Sequence, residues 1–340
     1  MARERIVSAE AQATDASPTG SAVPTPAIRP RRLDDYVGQR GLVERLSIAL
    51  EAVKEREEAM EHVLLHGPPG LGKTTLAHVI AEEMGSKAWV TSGPALTKAA
   101  DLVGTLTKLG ERDVLFIDEI HRLPSAVEEY IYPAMEDFRV DFTVDSGMHA
   151  KVITLTLKPF TLIGATTRAG LLTQPLRARF GITHHLEYYP VEDLESILHR
   201  AANQLGIPGA SDSGMTAIAR RSRGTPRVAL RLLRRARDFS QVRGTGAIDE
   251  SVVIDALKLE GVDEIGLDEI DRKYMKVLAT VYEGGPAGLE AIAATLGDDA
   301  GTLEDVVEPY LLQVGFLART RQGRKLTEAG LRHLKDHSAQ

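Results

Sequence analysis

The chain of 340 residues has no cysteine. Disulfides, thiolate metal sites and a cysteine nucleophile are therefore excluded. The absence fits a reducing compartment, and a cytoplasmic location is the expectation. Long apolar runs are also missing: none approaches the ~18 residues that a membrane helix needs. The segment from Met1 to Glu10 is charged and lacks the apolar stretch of a signal peptide. Neither secretion nor membrane spanning is expected. There is no excess of positive charge, since 41 Lys and Arg stand against 48 Asp and Glu, a net charge of −7. That excludes a uniformly basic nucleic-acid coat but leaves room for a local basic patch.

What is present is an ordinary globular composition, 43% hydrophobic and 26% charged. The length suits two or three domains at roughly 100–200 residues each. Residues 1–27 read as a disordered leader, because the stretch from 8 onward is rich in Ala, Ser, Thr and Pro without apolar periodicity. Order is expected from about Arg29-Pro30. Over 28–189, short apolar runs at Val63 to Leu65, Val114 to Ile117 and Thr161 to Gly164 alternate with helical stretches. Such runs fit strands buried on both faces of a parallel sheet, hence an α/β domain. Between Val140 and Thr156 apolar and polar residues alternate on both sides of Ser146-Gly147, the pattern of an inserted β-hairpin. Residues 190–260 read as a small all-α bundle, with helices expected over 193–204, 213–221, 226–241 and 249–259. Residues 261–340 read as helices over 267–282, 288–296 and 302–314, followed by a hairpin around Gln322-Gly323. That is the outline of a winged helix.

Gly67-Pro68-Pro69-Gly70-Leu71-Gly72-Lys73-Thr74 matches G-x-x-x-x-G-K-[ST] between a strand and a helix. Glycines let backbone N–H groups point at phosphate oxygens, and the helix N-terminus adds a favourable dipole. Lys73 would bridge the β- and γ-phosphates, Thr74 would place its hydroxyl on Mg²⁺, and Thr75 lies within reach of the α-phosphate. Val114 to Ile117 runs into Asp118-Glu119. An Asp there can hold the Mg²⁺ shell, and the next Glu can activate the attacking water. Thr166 and Thr167 end the strand that starts at Thr161, where a polar side chain would face the γ-phosphate or simply close a turn. Arg177 and Arg179 follow Pro175; either could serve a neighbouring subunit as an arginine finger, and both also suit a solvated basic turn. Arg227 sits at a helix start, against the dipole, which points to an anion partner.

These motifs resemble the AAA+ ATPases and, within them, the RuvB family of bacterial Holliday junction branch-migration motors. The resemblance runs from about Ile28 to Leu334. It rests on Arg29-Pro30, the run Asp35 to Gln39, the phosphate loop through Thr75, Leu115 to Arg122, Tyr132 to Asp137, Leu162 to Arg168, Pro175 to Gly181, Arg223 to Arg227 and Glu308 to Leu311. It implies an α/β AAA+ P-loop domain with a parallel sheet, a small all-α domain and a C-terminal winged helix. It implies ATP as substrate, Mg²⁺ at Thr74 and Asp118, and a homo-hexameric ring around duplex DNA. Ile28 and Arg29 would contact the adenine side, with Tyr36 nearby. Gly70, Lys73, Thr74 and Thr75 would hold phosphates. Glu136, Asp137 and Phe138 resemble a segment at the nucleotide site, although no physical reason for that is visible in the residues. Thr167 would sense the γ-phosphate, Arg179 would be the finger, and Tyr189 and Arg227 would touch nucleotide from the small domain. The hairpin 140–156 resembles the element that docks RuvA, the junction-binding partner. A junction resolvase is a further expected partner.

From Glu260 to Gln340 there are 9 Lys and Arg against 15 Asp and Glu, so this end is acidic overall (9 − 15 = −6). Yet Phe316 to Leu326 carries Arg319, Arg321, Arg324 and Lys325 with no acid. A basic tip suits sequence-independent phosphate contact, and a solubilising hairpin is its plain alternative. With the resemblance, Arg319 and Arg324 are the expected DNA contacts. A second basic run, Arg220 to Arg243, has Asp238 as its only acid. Apart from Arg227, ion pairing at a subunit interface is the expectation there. The ten histidines form no metal-like cluster, and zinc is not expected. The rival readings are a clamp-loader-like or initiator-like AAA+ ATPase, a protein-remodelling AAA+ machine, and a nucleotide-gated scaffold without turnover. Glu119 argues against the last.

Overall fold

The computed structural model describes residues 28–144 and 151–337. The leader 1–27 and the turn at Ser146-Gly147 lie outside the described residues. Helix α1 (Arg40–Arg56) leads into β1 (Val63–His66), the phosphate loop and α2 (Lys73–Glu83). Then come β2 (Ala88–Ser92), α3 (Ala99–Leu106), β3 (Val114–Asp118) and α4 (Ser125–Glu136). A hairpin, β4 (Arg139–Val144) with β5 (Lys151–Thr156), pairs Arg139 with Thr156 and Val144 with Lys151. β6 (Thr161–Thr166), α5 (Gln174–Ala178) and β7 (Ile182–His185) complete the unit.

The sheet order is β2-β3-β6-β1-β7, all parallel. Its middle strands are the apolar runs read in the sequence, buried along almost their whole length. The edges differ. β2 is half-exposed throughout and is not among the apolar runs read in the sequence. The crossover helices cover both faces, and a crevice opens at the C-terminal ends of the middle strands.

Helices α6 (Val191–Gln204), α7 (Asp212–Arg220), α8 (Pro226–Arg243) and α9 (Glu250–Leu259) form the small bundle. One apolar cluster runs from Leu42 and Leu76 through Leu186 and Tyr189 to Leu198, Ile218 and Leu233. The bundle therefore packs on the ATPase sheet as an extension of its core.

The last unit has α10 (Glu269–Thr280), α11 (Leu289–Leu296), α12 (Ala300–Thr302) and α13 (Glu308–Gln313). Its wing is β8 (Leu317–Thr320) with β9 (Gly323–Leu326), followed by α14 (Glu328–His337), which the three-helix outline does not include. The helix expected over 302–314 is interrupted by a π turn at Leu303–Val307. Pro309 follows at once and has no N–H to continue an α ladder, which favours the wider turn. This unit has its own core around Tyr274, Leu278, Val307 and Leu311. Arg223 of the bundle bolts it on, with Nη2 at 2.6 Å from Asp271 and 2.9 Å from Asp268. Burial pushes the Asp271 carboxyl up to about 7, against the pull of Arg223. Among the described residues no helix is long and apolar enough to cross a membrane.

Candidate active site

A cleft of about 500 Å³ opens at the ends of β1, β3 and β6, roofed by the helical bundle. The loop between β1 and α2 forms its floor. Gly70 (φ +85°) and Gly72 (φ +96°) adopt left-handed backbone that disfavours any side chain. At Gly70 an added Cβ would also be crowded, 3.1 Å from Arg227 Cβ. Arg227 N donates to the Gly70 carbonyl at 3.3 Å, so the phosphate loop touches the bundle directly. The first turn of α2 has no side-chain cap, leaving its N–H groups for an anion. Lys73 is 8% exposed, and its ammonium is held by the carbonyls of Gly67 (2.9 Å) and Pro68 (2.8 Å). Burial lowers its pKa to about 8, with Arg227 adding to the effect and Asp118 opposing it. A polyphosphate at this point would relieve that strain on the charge.

Thr74, Thr75, Asp118, Glu119 and Thr167 all line the same cleft. Asp118 ends β3 and accepts from Glu119 N at 2.9 Å. Glu119 itself is left-handed (φ +48°), and its carboxylate pairs with Arg122 Nη1 at 2.9 Å. Thr166 is not in the cleft: its hydroxyl is buried against His121 Nδ1 at 2.8 Å. Of the two threonines, Thr167 is the one that faces the site.

Ile28 and Arg29 close one end. Tyr36 and Tyr189 stand behind the loop, where both hydroxyls reach the Leu71 carbonyl, at 3.5 and 3.3 Å. Burial raises the pKa of both phenols, so they serve as neutral donors. From the bundle come Arg227 and two residues that the sequence reading did not assign to nucleotide, Arg200 and Arg234. Arg200 donates from Nη1 to the Asp35 carbonyl, and its Nε is buried with no hydrogen-bond partner among the described residues. Arg227 and Arg234 make no ion pair among the described residues. Residues 227, 230 and 234 share one stripe of α8, so helical spacing from Arg227 was the available signal for Arg234. The arrangement fits Mg²⁺ and a polyanion: a hydroxyl and a carboxylate on one side, uncommitted cations on the other.

Arg179, Glu136, Asp137 and Phe138 are not brought to this cleft. They lie together elsewhere on the ATPase unit. Arg179 stacks 4.3 Å above the Tyr132 ring, donates to the Pro175 carbonyl at 2.8 Å and pairs with Glu136 at 3.2 Å. Its Nε is buried and unpartnered among the described residues. Asp137 pairs with Arg139 at 3.3 Å, and the Phe138 ring packs on Phe160 and His62. Arg177 donates to the Ala169 carbonyl.

On the wing, the two arginines expected to contact DNA also make ion pairs. Arg319 and Arg324 are engaged by acids that come from α13 and the π turn. Arg319 Nη2 is 2.5 Å and Arg324 Nε 2.8 Å from Glu308, a fully buried carboxylate that also accepts from Tyr274 at 2.7 Å. Glu304 adds longer contacts of 3.7 and 3.5 Å. Arg321 and Lys325 remain exposed on the same hairpin.

A parallel sheet with this strand order, its phosphate loop, its Asp-Glu strand end and a roofing bundle define an ATPase of the AAA+ class. Comparison with known proteins narrows this. Residues 28–186 match the model described as Holliday junction DNA helicase RuvB P-loop domain. Residues 189–263 match the RuvB AAA lid domain, and 264–335 the RuvB C-terminal winged helix domain. The Holliday junction branch migration complex subunit RuvB of Kosmotoga olearia is 55% identical over 91% of this chain and 90% of its own. That of a Synechococcus strain is 53% identical over 98% and 96%. A solved structure, the Thermotoga maritima RuvB Holliday junction branch migration motor, has a TM-score of 0.81 and 50% identity, covering 91% of this chain and 98% of that one. The chain belongs to the RuvB family.

Proposed function

We propose that this chain is an ATP-driven DNA translocase that migrates Holliday junctions in recombination and repair. The observation that carries the reading is the position of the cleft between the ATPase unit and a bundle that also holds the winged helix. The phosphate loop touches the bundle at Gly70 and Arg227, and the bundle is bolted to the winged helix at Arg223. A change at the γ-phosphate is thereby placed to move a DNA-reading head.

Lys73 and the α2 N-terminus hold the phosphates, and Arg227 with Arg200 and Arg234 reports their presence to the bundle. Glu119, released from Arg122, orients and deprotonates the attacking water. Thr167 positions the γ-phosphate beside Asp118. Mg²⁺, held by Thr74 and Asp118, would neutralise charge on the transferring group. Arg179, which this chain's own cleft does not use, completes the cleft of a neighbour in a hexameric ring. Glu136, Asp137 and Phe138 belong to that same offered face. The ring encloses duplex DNA in the cytoplasm, and phosphates meet the wing. The hairpin 140–156 docks the RuvA partner, with a junction resolvase joining later.

The test is conversion of a labelled synthetic four-way junction to duplex arms, with ATP, Mg²⁺ and the junction-binding partner. Conversion that disappears in Glu119→Gln is the expected result. DNA-stimulated hydrolysis without conversion would instead favour a clamp-loader-like ATPase.

A further inference from the structure

A continuous set of charged groups joins the cleft to the wing. Thr166, at the end of β6, is 1% exposed, and its hydroxyl accepts from Arg168 N at 2.9 Å. Thr167, which lines the cleft, is thus fixed between two anchored residues. The Arg168 side chain then leaves the ATPase unit. Its Nη2 lies 2.5 Å from Asp305 Oδ1 and 3.1 Å from Glu304 Oε2, both in the π turn of the winged helix. The other oxygen of Glu304 is 3.5 Å from Arg324 and 3.7 Å from Arg319. Asp305 also reaches electrostatically to His121, two residues beyond Glu119.

Arg168 and Asp305 are half-exposed, and ion pairs of this kind add little stability. A weak contact between two units, made by residues next to a γ-phosphate sensor and on a π turn, is better suited to switching than to holding. The network also has a built-in competition. Glu304 is shared between Arg168 on the ATPase side and two wing arginines. Phosphates arriving at the wing draw on Arg319 and Arg324, and leave Glu304 to Arg168.

We propose that Arg168 is a positioning residue through which the winged-helix unit, by way of Asp305 and Glu304, sets Thr167 and so makes ATP turnover respond to DNA. This rests on the DNA-translocase reading above. Arg168 touches no reacting atom; it acts through the loop that carries Thr167.

The experiment measures steady-state ATP hydrolysis by the full chain with and without duplex DNA. Asp305→Asn removes the shorter of Arg168's two ion pairs while keeping the shape and leaving Glu304 in place. Arg168→Asp combined with Asp305→Arg restores it with the charges exchanged. Wild type is expected to hydrolyse faster with DNA. Asp305→Asn should lose that acceleration, roughly fivefold or more. Its DNA-free kcat and its KM for ATP should stay within about twofold. The exchanged pair should regain the response. Asp305→Asn responding to DNA like wild type would overturn the inference and leave the translocase reading standing. A loss that the exchanged pair does not repair, in a chain with an unchanged melting temperature, would make Asp305 a local support and overturn it too. A wild type indifferent to DNA would remove the translocase reading, and this inference with it.

Discussion

The cleft and the wing both gather positive charge, and they differ in what answers it. In the cleft, Lys73 is buried on backbone carbonyls, Arg200 keeps an unpartnered Nε, and Arg227 and Arg234 have no carboxylate partner among the described residues. On the wing, Arg319 and Arg324 close onto Glu308, which is fully buried. Uncommitted cations mark a surface waiting for an anion; the wing pair already has carboxylate partners, with which an arriving phosphate has to compete. A count of charges along the chain treats the two alike, because the acids that neutralise the wing lie a dozen or so residues upstream, on α13 and the π turn.

The contrast can be broken at either end. The largest effect is expected at Glu119→Gln, which should still bind ATP while turnover falls roughly a hundred- to ten-thousand-fold. Turnover near wild type would remove its role. On the wing, Arg319→Ala with Arg324→Ala should act first on stability. Leaving Glu308 buried without its cations should cost about 3–5 kcal/mol. A thermal melt of the full chain that leaves the winged-helix transition unmoved would show that the pair does not hold Glu308 in place. In the cleft, Lys73→Ala should weaken ATP binding on the order of a hundredfold, since charge-assisted bonds to phosphate are lost. Fluorescence of the single Trp89 or calorimetry would show it, and unchanged affinity would sink the site.

A pH titration sharpens the same point. Phosphate binds the protonated Lys73, and burial puts that proton's loss at about 8 in the nucleotide-free chain. Affinity for ATP should be flat below pH 8 and fall by up to about tenfold per unit as pH rises above it. A flat profile to pH 9.5 would show that the lysine is not held in the way described. The smallest effect falls on the exposed wing residues. Arg321→Ala with Lys325→Ala should leave stability intact and lower the salt slope of DNA binding by about two.

Much of this was legible before the fold was known, for physical reasons. Buried middle strands need apolar runs, and a phosphate loop needs glycines followed by Lys73 and Thr74 within a few residues. Both are local signals. The edge strand β2 is half-exposed, and its short apolar start, Ala88 to Val90, runs straight into Thr91-Ser92, a weaker local signal than the buried middle strands give. Arg200 and Arg234 reach the cleft from helices more than a hundred residues away, so only the helical stripe from Arg227 hinted at one of them. The π turn is set by Pro309, a rule of backbone hydrogen bonding that hydrophobic spacing does not carry. Thr166 and Thr167 were equivalent in sequence; the neighbouring His121 separates them in space. The wing arginines show what a local count omits: a basic stretch is legible, but the acids that pair with it are brought there by the tertiary fold.

The proposed ring divides the working site between chains, with the phosphate cleft on one face of a chain and Arg179 offered from another. The most direct test mixes two proteins. Lys73→Ala lacks a usable cleft but keeps Arg179, while Arg179→Ala keeps the cleft but offers no finger. Each hydrolyses ATP poorly on its own. A subunit-exchanged mixture on DNA is predicted to regain turnover, because an intact cleft of one meets an intact Arg179 of the other. Turnover that stays at the sum of the separate proteins would contradict the divided site.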